Sequence, residues 1–154
     1  MPDQIAHRQR INYLLSETEA IYHEASLRLG LSDSEMKILY SIRDKKSAVK
    51  RPLKEILVFS GMAKQTANSA LRKMENAGWL FLEGGQKNKT VCLTQKGVEV
   101  AKNTADVLID IENSIFEGWD RRMADEYLAL NEKFMRQLRL CVDNLAKKDL
   151  DYNR

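Results

Sequence analysis

Apolar residues recur at Ile11, Leu14, Leu15, Tyr22, Ala25 and Leu29, mostly three or four positions apart, and no glycine or proline falls between positions 4 and 29. That spacing lines one face of a helix. A long amphipathic first helix is therefore predicted, with Gly30 ending it. "LSDSEMKILYSIRD" opens on Ser32 and has Glu35 three residues later, the signature of a capping box. Met36, Leu39, Tyr40 and Ile42 or Arg43 continue this second helix. "KKSAVKR" reads as a polar loop. Pro52 suits the first position of a third helix, "PLKEILVFS", and Gly61 fits a left-handed turn ending it.

The fourth helix is predicted from about Ala63 to Asn76, ended by Gly78. At about 100° per residue, Ala63, Ala67, Ala70, Leu71 and Met74 share one arc. Gln65, Asn68, Ser69 and Arg72 share the opposite arc, with Lys64 at its edge. Three alanines let the apolar side lie close against another helix. Next, "WLFLEG" and "KTVCLT" read as two strands of a hairpin joined by the glycine-containing "GGQKN". Thr94 can cap a fifth helix from Gln95, with Val98, Ala101, Ala105, Leu108, Ile115 and Trp119 on its apolar side. Gly118 breaks that pattern. The last helix carries Met123, Tyr127, Leu130, Phe134, Leu138, Cys141 and Leu145 in steps of four, three, four, four, three and four, close to a coiled-coil seam.

The predicted fold is mainly α with a small β-hairpin: four helices, the hairpin, then two helices. Long amphipathic helices at both ends are hard to bury within 154 residues, so their stripes point to a second copy of the chain. Pairing of the first and last helices within one chain is the alternative, and both arrangements can hold together.

Composition adds little until its distribution is considered. A hydrophobic share of 44% with 31% charged residues is an ordinary globular mix. No apolar run approaches the ~20 residues that cross a bilayer, and "MPDQIAHRQR" has no signal-peptide pattern, so a cytoplasmic protein without membrane contact is expected. Cys92 and Cys141 lack metal-ligand spacing and read as small core hydrophobes. His7 and His23 cannot form a metal site alone. No nucleophile pair, phosphate-cradling glycine motif or metal cluster is present. Enzymatic activity, cofactors and metals are therefore not expected. Residues 63–90 alone account for the chain's net charge of +3. "KKSAVKRP" adds Lys45, Lys46, Lys50 and Arg51 just before them. Positive charge clustered mid-chain is the footprint of a polyanion site, although Lys45, Lys46 and Lys50 read equally well as a solvated loop.

A helix, a tight turn at Gly61, a second helix and an immediate hairpin make a winged helix-turn-helix. The second helix of such a unit lies in the DNA major groove. Amides such as Gln65 and Asn68 can bond an adenine edge at two points, and Arg72 can do so to guanine. Ser69, Thr66, Lys64 and Lys73 suit phosphate contacts. Lys87 and Lys89 at the hairpin tip suit phosphate or the minor groove beside it. For all nine residues the plain alternative is a solvated face. Tyr13, His23, Tyr40 and Trp119 are candidates to line a ligand cavity, with ordinary packing as their alternative. A winged-helix adaptor that binds protein rather than DNA is the second functional class. It would show apolar anchors on the recognition face, and that face has none.

Along nearly its whole length the chain resembles the MarR family of bacterial transcriptional regulators. The resemblance lies in "SGMAKQTANSALRKMENAGWL", the hairpin, and "CLTQKG", where Leu93, Thr94 and Gly97 match a Leu-Thr-x-x-Gly pattern. It implies a homodimer on a pseudo-palindromic operator, usually as a repressor and in many relatives released by a small-molecule effector. Residues 1–30 and 95–154 would form the helical dimerisation region, and residues 31–94 the DNA-binding domain. Two departures stand out. The wing "EGGQKNKT" lacks the arginine that many relatives send into the minor groove, so Lys87 and Lys89 are expected on phosphate. Ala63 stands where relatives often have Ser, forfeiting a side-chain cap of about 1 kcal/mol.

Overall fold

The computed structural model describes residues 2–45 and 48–145. In chain order its elements are α1 (Pro2–Arg28), α2 (Asp33–Arg43), β1 (Lys50–Pro52), α3 (Leu53–Ser60), α4 (Lys64–Asn76), β2 (Leu80–Glu83), β3 (Thr90–Leu93), α5 (Gln95–Lys102), α6 (Ala105–Glu117) and α7 (Arg121–Asp143). The chain divides into two compact units, one running to Ile111 and one starting at Glu112. Lys46 lies outside the described residues.

In the first unit the local signals act as the sequence dictates. Gly30 takes φ 82°, and the Leu31 N–H reaches back to Ser26 O at 2.9 Å, closing α1 in a Schellman turn. Ser32 and Glu35 form both halves of the capping box on α2. Ile38, Leu39, Ile42, Ile56, Met74, Leu80 and Val91 are fully buried together. Each such side chain contributes roughly 1.5–3 kcal/mol relative to exposure. Ala25 of α1 and Leu29 just beyond its end pack against this core, while Leu14, Leu15 and Tyr22 of the same stripe stay exposed.

Three features correct the sequence reading. First, the hairpin is part of a three-stranded antiparallel sheet in the order β1-β3-β2. Lys50–Pro52, of which Lys50 and Arg51 were expected in a loop and Pro52 at the start of a helix, pairs with β3 in the register Arg51↔Val91. β1 is an edge strand, where proline is tolerated, and the Leu53 N–H bonds Lys89 O at 2.9 Å. Second, Pro52 caps α3 rather than filling its first turn. Third, the single helix expected from Gln95 is two, broken at Asn103 and Thr104. Asn103 Nδ2 donates to Glu99 O (2.9 Å) and Thr104 Oγ1 to Val100 O (2.7 Å). Such short polar side chains compete with the helix ladder for carbonyls.

In the second unit, Trp119 lies edge-on to both Phe116 and Tyr127, with centroids 5.4 Å apart in each case. α7 buries none of its residues. Met123, Tyr127, Leu130, Phe134, Leu138 and Leu145 are all exposed, as is Cys141.

Candidate nucleic-acid interface

α3 and α4 meet through a short turn. Gly61 adopts φ 67° and its N–H bonds Leu57 O, ending α3. α4 then starts after Ala63, whose extended backbone caps it without any side-chain bond. Its end is again a Schellman turn: Gly78 has φ 78° and the Trp79 N–H bonds Met74 O at 3.0 Å.

The two faces of α4 separate cleanly. Ala67, Ala70, Leu71 and Met74 are buried. Lys64, Gln65, Thr66, Asn68, Ser69, Arg72 and Lys73 are exposed. Among the described residues, no hydrogen bond or ion pair within the chain engages these seven side chains. Their donors and acceptors face solvent on a helix anchored by its opposite side.

The β2–β3 loop follows. Gly84 has φ 91°, and a Cβ there would run into the carbonyl of Asn88, so only glycine fits this bend. Lys87 is exposed and Lys89 half-exposed. Behind the interface Glu55 accepts from Lys45 at 3.0 Å and Arg51 at 3.1 Å, and these bonds hold its carboxyl below the usual range. Arg51 is buried, donates to Ser41 O, and lies 4.9 Å from the Phe59 ring centroid. Arg51 and Lys45 are thus engaged structurally, while Lys50 and Lys54 remain exposed.

The aromatic candidates fall in different surroundings. Tyr13 is exposed. His23 Nδ1 is 2.7 Å from Asp33 Oδ2. Tyr40 stacks on Phe59 at 6.2 Å, and Trp119 belongs to the aromatic cluster of the second unit. A cleft of about 390 Å³ opens between Leu29, Leu31, Trp79, Lys96, Val100 and Asn103. None of the four candidates lines it.

Sequence reasoning missed an ion pair between a buried arginine and a half-buried aspartate. Arg43, the last residue of α2, grips Asp106 in the first turn of α6 with a two-point fork. The signal was an arginine in an apolar register, three and four residues beyond Tyr40 and Leu39.

No protein-family profile matches the sequence, and no curated protein matches it. Solved structures do match. A MarR family regulator from Neisseria meningitidis superposes with a TM-score of 0.72 at 15% identity, covering 92% of this chain and 95% of that one. AbsC, a MarR family transcriptional regulator from Streptomyces coelicolor, gives 0.64 at 17%, covering 88% and 93%. BpsR of Bordetella bronchiseptica, whose DNA binding is regulated by 6-hydroxynicotinic acid, gives 0.60 at 16%, covering 80% and 98%. The chain thus has the winged-helix fold of MarR family regulators.

Proposed function

We propose that the chain is a sequence-specific, homodimeric DNA-binding transcriptional regulator that represses from a pseudo-palindromic operator in the cytoplasm. The observation that carries this reading is α4. One face is locked into the core, and the other offers two amides, two hydroxyls, an arginine and two lysines with no partner among the described residues. Gln65, Asn68 and Arg72 are assigned to base edges. Lys64, Thr66, Ser69 and Lys73, with Lys87 and Lys89 of the wing, are assigned to phosphates and flanking contacts.

Dimerisation is assigned to residues 1–30 and 95–154, and DNA binding to residues 31–94. The exposed seam of α7 supports the pairing, because an apolar stripe of that length is rarely left in water. The fold shared with BpsR supports control by a small-molecule effector. No helix among the described residues is long and apolar enough to cross a membrane, and no group of His, Cys, Asp or Glu among them could hold a metal ion. No catalytic role is proposed.

Selection of binding sites from random-sequence duplexes by the purified protein tests this reading. An inverted repeat with half-site centres about 34–36 Å apart is expected. No enriched sequence at low salt, from folded protein, would favour the adaptor instead.

A further inference from the structure

β1 is three residues long and buries only its middle one. Lys50 and Pro52 are exposed, and Arg51 between them is 8% exposed. The inward position of a strand ordinarily takes an apolar side chain. A guanidinium there costs desolvation unless its donors find partners. The partners of Arg51 lie on two helices. Nη1 donates to Ser41 O in the last turn of α2, where the helix's own N–H groups run out. Nε donates to Glu55 Oε2 of α3 at 3.1 Å, and Lys45 reaches the same oxygen at 3.0 Å. The guanidinium also lies 4.9 Å from the ring centroid of Phe59 on α3, the ring on which Tyr40 of α2 stacks at 6.2 Å.

The same strand holds the wing. Arg51 pairs with Val91 of β3. Val49 O accepts the Leu93 N–H at 2.8 Å, and the Leu53 N–H at the start of α3 reaches Lys89 O at 2.9 Å. The loop that precedes β3 carries Lys87 and Lys89. α3 runs through the Gly61 turn into α4. Side-chain bonds thus join the wing, α2 and α3 at Arg51. An apolar residue there would fill the space but leave the strand free to tilt on the helices. A planar fork with donors fixed on separate partners sets direction as well as distance.

We propose that Arg51 is a positioning residue for the wing. Its bonds to α2 and α3 fix where Lys87 and Lys89 stand relative to the exposed face of α4, so that the wing and the recognition helix meet one stretch of duplex together. The proposal rests on the DNA-binding reading above.

Two measurements test it. Glu75→Cys on α4 and Gln86→Cys at the wing tip, both exposed positions, take nitroxide labels in a Cys141→Ser chain whose Cys92 is buried. Labelled chain is diluted into unlabelled chain, and pulsed electron resonance reads the distance within one chain. A salt titration on the duplex recovered by selection, with and without Lys87→Ala, reads the wing's phosphate contacts. The variants are Arg51→Met, Arg51→Lys and Glu55→Gln; the third changes the half-exposed end of the network and serves if the first two do not fold. The parent is expected to show a narrow distance distribution and to lose about one unit of salt slope with Lys87→Ala. Each folded variant is expected to broaden the distribution, to start from a slope at least that low, to lose no more with Lys87→Ala, and to keep the sequence preference that Arg72 confers. A general loss of stability would leave the Lys87 effect intact in the folded molecules. An unchanged distribution, or a full Lys87 effect, in the folded variants would overturn the proposal. Broadening in variants of a parent that binds no duplex would uphold the joint and overturn the DNA-binding reading instead.

Discussion

Gly97, in the first turn of α5, sits directly against the carbonyl of Trp79. A Cβ at Gly97 would overlap that oxygen and its carbon. The same carbonyl accepts the Thr94 N–H at 3.0 Å, and Thr94 Oγ1 accepts the Gly97 N–H while donating to Gly78 O at 2.6 Å. The end of α4 and the start of α5 are therefore locked together through two residues of one short motif.

Gly97→Ala is accordingly expected to destabilise the fold by at least the roughly 1–3 kcal/mol typical of overpacking. Thr94→Ala loses a helix cap and is expected to cost about 1 kcal/mol. Urea unfolding followed by circular dichroism measures both. A neutral Gly97→Ala would show that the backbone there has room to move.

The Arg43–Asp106 pair makes a stability prediction of its own. Removing Asp106 leaves the buried Arg43 guanidinium without its counter-ion, at a cost of up to about 3–5 kcal/mol. Asp106→Ala is expected in that range by urea unfolding. Arg43→Met with Asp106→Leu is expected to be milder than either single change to alanine, because no charge is left stranded.

The two thiols should behave differently. Cys92 is buried on β3 and Cys141 exposed on α7. Burial pushes the Cys92 thiol above its ordinary range. Its contribution to stability is thus present below that range and lost as pH rises through it. In native protein, iodoacetamide is expected to modify Cys141 and spare Cys92. Cys141 should slow as protein concentration rises and α7 becomes covered by its partner. A Cys141 rate independent of concentration would show that the α7 seam is not the interface.

Much of this was legible in the sequence because the signals are local. Ser32 with Glu35, Gly61 with its positive φ, and the two faces of α4 each depend on residues within one or two turns. What escaped depends on distant partners or weak local pattern. β1 is three residues long, two of them charged and one a proline, so it exists only because β3 lies beside it. Asn103 and Thr104 interrupt a helix without disturbing its apolar period. The fork from Arg43 spans 63 positions to Asp106, and only the fold brings the two together.

The central claim is that the exposed face of α4 reads DNA. A titration of the selected operator across salt concentrations, with the parent, Arg72→Ala and Lys87→Ala, tests it most directly. Parent affinity should fall steeply with salt. Arg72→Ala should lose about 1–3 kcal/mol and relax specificity at one position, while Lys87→Ala should weaken all sequences alike and lower the salt slope by about one. Binding by Arg72→Ala that matches the parent on every sequence would contradict the account.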